Sequence, residues 1–348
     1  MRINIENFRN DLLNWYDEYA RVLPWRSEPL PYYVWVSEIM LQQTRVEAVK
    51  PYFARFIKRL PTLKDLAEVD DDELRKLWEG LGYYNRVRNM KKCAIECMDK
   101  YNGFLPSAYE ELIELPGIGS YTAGAIASIA YKEVVPAVDG NVLRVFSRLL
   151  ASYDDIGKES TKKKFHTIIQ EYVSKDRPDA FNQAVMEIGA MVCVPNSAPR
   201  CNICPIVSYC QAYETGKEHV LPIKEKKLKR RIEKRTIVVM VHDGKVVLRK
   251  RPQTGLLADL YEFINLEGYH TKKQLKELFN DSYTIKSIEK LPTSKHIFSH
   301  VEWHMHGYLI EVENVNDELL ASITDVDERY AIPTAFKAYK DMLKHYIK

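Results

Sequence analysis

The sequence predicts a protein in two parts, mostly α in its first half and α+β in its second. Between residues 8 and 193 apolar side chains recur at three and four positions, the spacing that gathers them on one helix face, with breaks at Pro61, Pro106, Pro116, Pro136 and Pro178. After Leu221-Pro222 the stretch 223–235 carries Lys224, Lys226, Lys227, Lys229, Arg230, Arg231, Lys234 and Arg235 against Glu225 and Glu233, and reads as a basic linker. The pattern then changes to apolar runs at 237–241 and 246–249 around Asp243-Gly244, as a tight hairpin requires. The expected division is a helical domain at 1–222, a linker at 223–235 and an α+β domain at 236–348. Within the last, 301–310 reads as strand, and 272–279 and 333–346 as helix.

A 46% hydrophobic composition over 348 residues supplies core for two domains. The first residues carry charges and asparagines where a secretory signal would be apolar, and no apolar run is long enough for a bilayer, so a cytoplasmic location is expected. In a reducing compartment the six cysteines read as ligands or buried thiols. Cys93 and Cys97, one helical turn apart, are assigned to the core. The net charge of +3 does not announce a polyanion partner, so any such site must come from local clustering.

Three motifs carry chemistry. Cys193, Cys201, Cys204 and Cys210 form one close pair flanked by single cysteines; this asymmetry favours an iron-sulfur cluster, with zinc and unliganded core thiols as the alternatives. Leu115-Pro116-Gly117-Ile118-Gly119 joins two helical segments and offers bare amides at a helix start, which suits a phosphate, although glycine at a helix end is common as a cap. Asp139, in Val138-Asp139-Gly140-Asn141, interrupts an apolar pattern and by itself is most simply an N-cap.

Taken in order, these parts resemble the helix-hairpin-helix DNA glycosylases of the endonuclease III superfamily, and within it the adenine glycosylases of the MutY type. The resemblance also rests on Leu23-Pro24-Trp25-Arg26, on 36–44 (Val-Ser-Glu-Ile-Met-Leu-Gln-Gln-Thr) and on Gly80-Leu81-Gly82-Tyr83-Tyr84. One departure is that the family usually has six residues between its first two cysteines, where Cys193 and Cys201 enclose seven.

The resemblance implies removal of adenine opposite 8-oxoguanine or guanine in duplex DNA by a protein that carries a 4Fe-4S cluster on the four cysteines; a clamp around DNA needs only a monomer, which is the expected state. It implies Glu38 as general acid toward the base and ionised Asp139 opposite the sugar, supported by Tyr121 and Asn141. An adenine pocket would use Trp25, Arg26, Leu41, Val46 and Gln183. Gln43 and Tyr83 would enter the duplex, Thr44 and Leu81 would lie against the lesion, and Pro116, Gly117 and Gly119 would meet the backbone. Bifunctional relatives place a lysine where this chain has Tyr121, so an abasic product without strand cleavage is expected, with Lys132 a minor candidate for stray attack.

The second domain resembles a Nudix fold without the glutamate cluster that would bind magnesium. Its Phe298-Ser299-His300 would approach 8-oxoguanine. His296, His300, His304 and His306 read as a strand edge ahead of a metal site. Two rival readings share much of this pattern: a glycosylase/lyase on damaged bases like endonuclease III, and a non-catalytic iron-sulfur DNA-binding protein.

Overall fold

Asn4 accepts a hydrogen bond from the Asn7 amide and opens α1 (Ile5–Tyr19). Pro24 and Pro31 sit in the first turns of α2 (Pro24–Ser27) and α3 (Pro31–Leu41), where a missing amide costs nothing. The structure is a computed structural model and describes residues 3–195, 197–225, 229–316 and 318–346. Lys226 and Lys227 of the expected linker, and Asn196 between the first two cysteines of the motif, lie outside the described residues.

α3 buries every residue from Val34 to Met40, so it runs through the protein and has no solvent face along that length. It is followed by α4 (Val46–Arg59), α5 (Leu63–Glu68), α6 (Asp71–Leu77, capped by Asp70) and α7 (Asn85–Lys100). Then come α8 (Tyr109–Leu112), the apolar α9 (Ser120–Tyr131), α10 (Gly140–Leu149), α11 (Glu159–Gln170) and α12 (Pro178–Met191). Two 3-10 turns, Cys201–Ile203 and Val207–Tyr209, lead into α13 (Gln211–Glu214). α3 packs on α4 and α9, while α12 packs on α1, α9 and α10. Phe8, Leu12, Phe146, Phe165, Phe181 and Ile188 belong to the buried cluster behind this second group.

The second domain is a mixed sheet in the order β3-β2-β1-β6-β5, with β4 on β1 and β7 on β2. Its strands are β1 (Arg231–His242), β2 (Lys245–Lys250), β3 (Tyr261–Glu262), β4 (Ile264–Glu267), β5 (Ile285–Ile297), β6 (Val301–Val312) and β7 (Leu319–Ala321). Asp243 and Gly244, both at positive φ, close the β1–β2 hairpin, and β1 runs parallel to β6 from Arg231 to Val241. α14 (Lys272–Phe279) places Leu275 and Phe279 in the cluster on one sheet face. Beyond β7, α15 (Ile323–Glu328) and α16 (Lys337–Tyr346) supply Val326, Tyr339 and Leu343 to the cluster that includes Trp303 and Met305.

The chain divides into two compact units, Met1–Glu68 with Arg88–Lys226, and Val69–Val87 with Lys227–Lys348. This differs from the sequence-based division in two places. Residues 231–235, expected as linker, are strand, because the ladder to β6 begins at Arg231. α6 and the loop after it, expected in the helical domain, group with the second, because Lys76 and Glu79 bond to its backbone at Val326, Tyr330 and Ile332. Among the described residues no helix is long and apolar enough to cross a membrane.

Candidate active site, thiol-lined cavity and recognition loops

Glu38 sits in buried α3 with only 6% of its surface exposed, and the Tyr121 hydroxyl, from the first turn of α9, donates to its Oε2. Burial pushes the Glu38 carboxyl up to about 7. The Tyr121 hydrogen bond and the Arg26 charge oppose the shift, and the Asp139 charge adds to it. Tyr121 is itself held well above the ordinary tyrosine range by burial and by the two carboxylates, so its proton stays in place as a donor.

Asp139 is an N-cap, as its sequence context suggests, and the cap aims its carboxylate. Oδ1 accepts from the Val142 amide at 2.7 Å, and Oδ2 from Asn141 Nδ2 at 2.6 Å. Burial raises the Asp139 carboxyl, against the pull of these hydrogen bonds and of Arg144. Asn141 Oδ1 in turn accepts from Arg144 Nη2 at 2.8 Å, and Arg144 Nε donates to the Cys193 carbonyl at 2.7 Å, which makes one hydrogen-bonded path from Asp139 to the first cysteine. Gly189 of α12 allows this approach, since a Cβ there would lie 2.5 Å from the Asn141 Cβ. Asn182, 2% exposed, holds the segment leading to Asp139 through the Ala137 amide and the Val135 carbonyl.

Of the expected pocket residues, Trp25 is buried edge-on to Phe53, with ring centroids 5.3 Å apart. Arg26 is bound to the Arg21 carbonyl at 3.0 Å and to Glu187 at 2.9 Å. Leu41 and Val46 are half-buried at the end of α3 and the start of α4, and Gln183 donates to the Asp179 carbonyl of its own helix. Sequence reasoning missed Glu187. It is 1% exposed and pairs with both Arg21 and Arg26, whose charges outweigh the effect of burial and keep its carboxyl low. Its one signal in sequence is a carboxylate set between apolar Val185-Met186 and Ile188 in α12. Lys132 is committed to Asp179 at 2.6 Å.

The hairpin joins α8 to α9. Gly117 has φ +77°, and a Cβ there would meet Asn89 at 2.6 Å, so it serves the turn and the packing of the protein itself. Gly119 is different: its φ of −94° suits any residue and a Cβ there would meet nothing within 4 Å. The start of α9 beside it has no side-chain cap and no acidic residue in its first turn, which leaves its amides available to an anion.

Cys193, Cys201, Cys204 and Cys210 line one cavity together with Val145, Leu149, Ile188 and Val192. Arg148, 5% exposed and also overlooked in the sequence, donates to Cys193 Sγ at 3.1 Å, and its carbonyl accepts from Cys210 Sγ at 3.5 Å. Burial pushes the Cys204 thiol up to about 12. The sequence signal for Arg144 and Arg148 is two arginines one turn apart in an amphipathic helix, both on the buried side.

The expected DNA-entering residues share a backbone feature: Gln43 has φ +62° and Tyr83 φ +48°, in the left-handed region that non-glycine residues rarely occupy. Gln43 is exposed and Thr44 is half-buried. In the second unit Gly80 (φ +99°) and Gly82 (φ +69°) shape the loop, Tyr83 stands 55% exposed, and its hydroxyl lies 3.1 Å from Ser299 Oγ. Leu81 is 6% exposed, its side chain packed inward in this structure. Phe298 packs against Trp303 and His296 at 5.0 and 4.6 Å, and leaves Ser299 and His300 exposed at the tip between β5 and β6. His304 bonds to Glu302, and His306 stacks on Tyr269.

Residues 36–171 match the family described as HhH-GPD superfamily base excision DNA repair protein, and residues 235–342 match the NUDIX domain family. Among solved structures a thermostable thymine-DNA glycosylase is similar with a TM-score of 0.55 and 25% identity, covering 61% of this chain and 97% of that one. Endonuclease III trapped in a covalent intermediate with DNA shares the fold with a TM-score of 0.53 and 24% identity, over 62% of this chain and 99% of that one. The protein is thus a DNA N-glycosylase of base excision repair, with a helix-hairpin-helix catalytic half and a Nudix-like second domain.

Relatives named adenine DNA glycosylase narrow the class. The rat protein is 36% identical over 89% of this chain and 71% of its own length, and that of Buchnera aphidicola (strain Bp) is 36% identical over 89% and 87%. An Arabidopsis thaliana relative is also 36% identical, with the match spanning 58% of its length. This chain belongs to the adenine DNA glycosylase family.

Proposed function

We propose that this protein removes adenine mispaired with 8-oxoguanine, or with guanine, by hydrolysing its N-glycosidic bond, and that it releases an abasic site without cutting the strand. The observation that carries the reading is the pairing of a buried Glu38, raised to about 7 and bound by Tyr121, with an Asp139 fixed by Asn141 and the Val142 amide. A mispaired adenine leaves the stack at reduced cost. Glu38 then gives its proton to a ring nitrogen of the base, the bond from C1′ to N9 breaks with its electron pair going to adenine, and positive charge grows on the sugar. Asp139, with every hydrogen bond it receives favouring its charged form, stabilises that charge or bonds to C1′ until water attacks C1′, its proton passing to the Glu38 carboxylate as any bond to the Asp139 oxygen breaks. Tyr121 offers no amine for a Schiff base, and the Lys132 ammonium is held by Asp179.

Gln43, Thr44 and the amides beside Gly119 contact the duplex in this reading, and Tyr83 with Ser299 reads the base opposite adenine. Four thiols spread around an apolar cavity, with Arg148 donating to one of them, are a donor set suited to a 4Fe-4S cluster. The cluster is preferred to zinc because the cysteines form one close pair flanked by single cysteines, where a zinc site would usually present two pairs. Cys193, Cys201, Cys204 and Cys210 would hold the cluster, which would tie the end of α12 to 201–210. The enzyme acts as a monomer on chromosomal DNA in the cytoplasm.

The test is single-turnover base release from duplexes with adenine opposite 8-oxoguanine, and opposite thymine as control, read before and after alkali. Free adenine from the first duplex with strand breaks only after alkali is expected; strand breaks without alkali, or no release from iron-loaded protein, would reject the proposal.

A further inference from the structure

The Tyr83 loop and the Ser299 tip lie 216 residues apart in sequence, yet they belong to one compact unit and meet through their hydroxyls. Segment 69–87 is joined to that unit by two acidic anchors. Glu79 Oε1 accepts from the Ile332 amide at 3.0 Å and from Lys340 at 3.4 Å, while Oε2 accepts from Lys76 at 2.5 Å. Lys76 also donates to the Val326 and Tyr330 carbonyls at 3.2 and 3.1 Å. At the other end of α6, Asp72 accepts from Lys250 at 3.0 Å and from the Tyr261 hydroxyl at 2.9 Å. Glu79 directly precedes Gly80, so the first anchor fixes the base of the loop whose tip is Tyr83.

The loop above that anchor is held by its own carbonyls. Trp78 Nε1 donates to Gly82, and Arg86 donates to Leu81 and Gly82 at 3.0 and 3.2 Å. Tyr83 is therefore kept at its positive φ by a frame that ends at Glu79. The facing tip is held as well: Arg230 Nε donates to the Phe298 carbonyl at 3.0 Å and the Arg231 amide to the His300 carbonyl at 3.1 Å. Both sides of the Tyr83–Ser299 contact are framed, and Glu79, the carboxylate next to the loop, links the Tyr83 side to the sheet domain.

We infer that Glu79, backed by Asp72, is a positioning residue for discrimination of the base opposite adenine: it sets the height of Tyr83 against Ser299 and touches no substrate. This rests on the lesion-reading role proposed above for Tyr83 and Ser299. An 8-oxoguanine differs from guanine at a few atoms of one edge, so reading it demands that two small polar groups keep a fixed separation. Loss of a charge-assisted anchor lets the loop tip shift while the buried acid and Asp139, in the other unit, keep their own hydrogen bonds.

The experiment measures single-turnover adenine release opposite 8-oxoguanine and opposite guanine in the full-length protein, for wild type, Glu79→Ala, Glu79→Gln and Asp72→Asn. Glu79→Ala is expected to lower the 8-oxoguanine to guanine rate ratio about tenfold, the equivalent of one charge-assisted hydrogen bond. The guanine-opposed rate should stay the same, and Glu79→Gln, which retains an acceptor for the Ile332 amide, should recover most of the ratio. Asp72→Asn should have a smaller effect in the same direction. Equal loss on both substrates, or an unchanged ratio, overturns the inference. A wild type with no preference would instead reject the lesion-reading role. In that case hydrogen exchange of the 80–87 amides in DNA-free protein decides the anchoring: faster exchange in Glu79→Ala supports it, and unchanged exchange refutes it.

Discussion

Two tyrosine hydroxyls in this protein make comparable hydrogen bonds with opposite consequences. Tyr121 bonds to Glu38 inside the helical unit, where the carboxylate is 6% exposed; Tyr83 bonds to Ser299 at the surface of the second unit, where the tyrosine is 55% exposed. In the first case exclusion of water moves the Glu38 carboxyl to about 7 against the pull of the Tyr121 hydrogen bond, so the contact helps set where the carboxyl gives up its proton. In the second, water is close, no charge is involved, and what the contact fixes is position. Disturbing the buried pair should therefore abolish chemistry, and disturbing the exposed pair should only grade selectivity.

The largest effect expected is from Glu38→Gln, which keeps the shape and removes the acid: base release should fall about a thousandfold, within the range for a lost general acid, with duplex affinity retained. Asp139→Asn should come close behind at about a hundredfold, because an amide still caps the Val142 amide but carries no charge for the sugar. Single-turnover rates and gel-shift affinities check both. If Glu38→Gln released adenine at the wild-type rate, the buried pair would be structural and the contrast between the two tyrosines would vanish.

The pH dependence sharpens the same contrast. Glu38 acts while protonated, so its contribution should be present below its raised value and be lost as pH climbs through about 7. Stability follows the same sign. Between the ordinary 4.5 and about 7 the folded state keeps a proton that the unfolded chain has released, so stability declines as pH rises across that window, by on the order of 3 kcal/mol. Glu38→Gln should escape this decline and gain over wild type in thermal unfolding at pH 8, while matching it at pH 4.5.

Smaller effects test the periphery of each region. Cys204→Ala should remove the visible absorbance of anaerobically prepared protein and lower its thermal midpoint, since one of the four thiols around the cavity is gone. The smallest is Ser299→Ala, expected to reduce preference for 8-oxoguanine a few-fold in rate with no change in the pH profile. A shifted profile in that variant would mean the two regions are coupled in a way their separate geometries do not require.

Much of this was legible in the chain. The apolar spacing gave the helices, Asp243-Gly244 the hairpin, and 272–279 coincides with α14. Other features were hidden because their partners are remote. Arg144 and Arg148 look like the polar face of an amphipathic helix until α12 and the cysteine segment cover them. Leu81 and Tyr83 are near neighbours in sequence, and the structure places one side chain inward and the other outward in a loop with positive φ at Gly80 and Gly82.

The sequence by itself determined the local elements and the residue types able to do the chemistry, because periodicity, turn residues and cysteine spacing act over a few positions. Only the tertiary structure decided that Glu38 holds a proton near neutral pH, that Gly119 faces open space while Gly117 serves packing, and that Val69–Val87 joins the sheet domain. Each depends on what is brought near from far along the chain: the water excluded around a carboxyl, the atoms a Cβ would meet, and the carbonyls that a lysine or glutamate finds after folding.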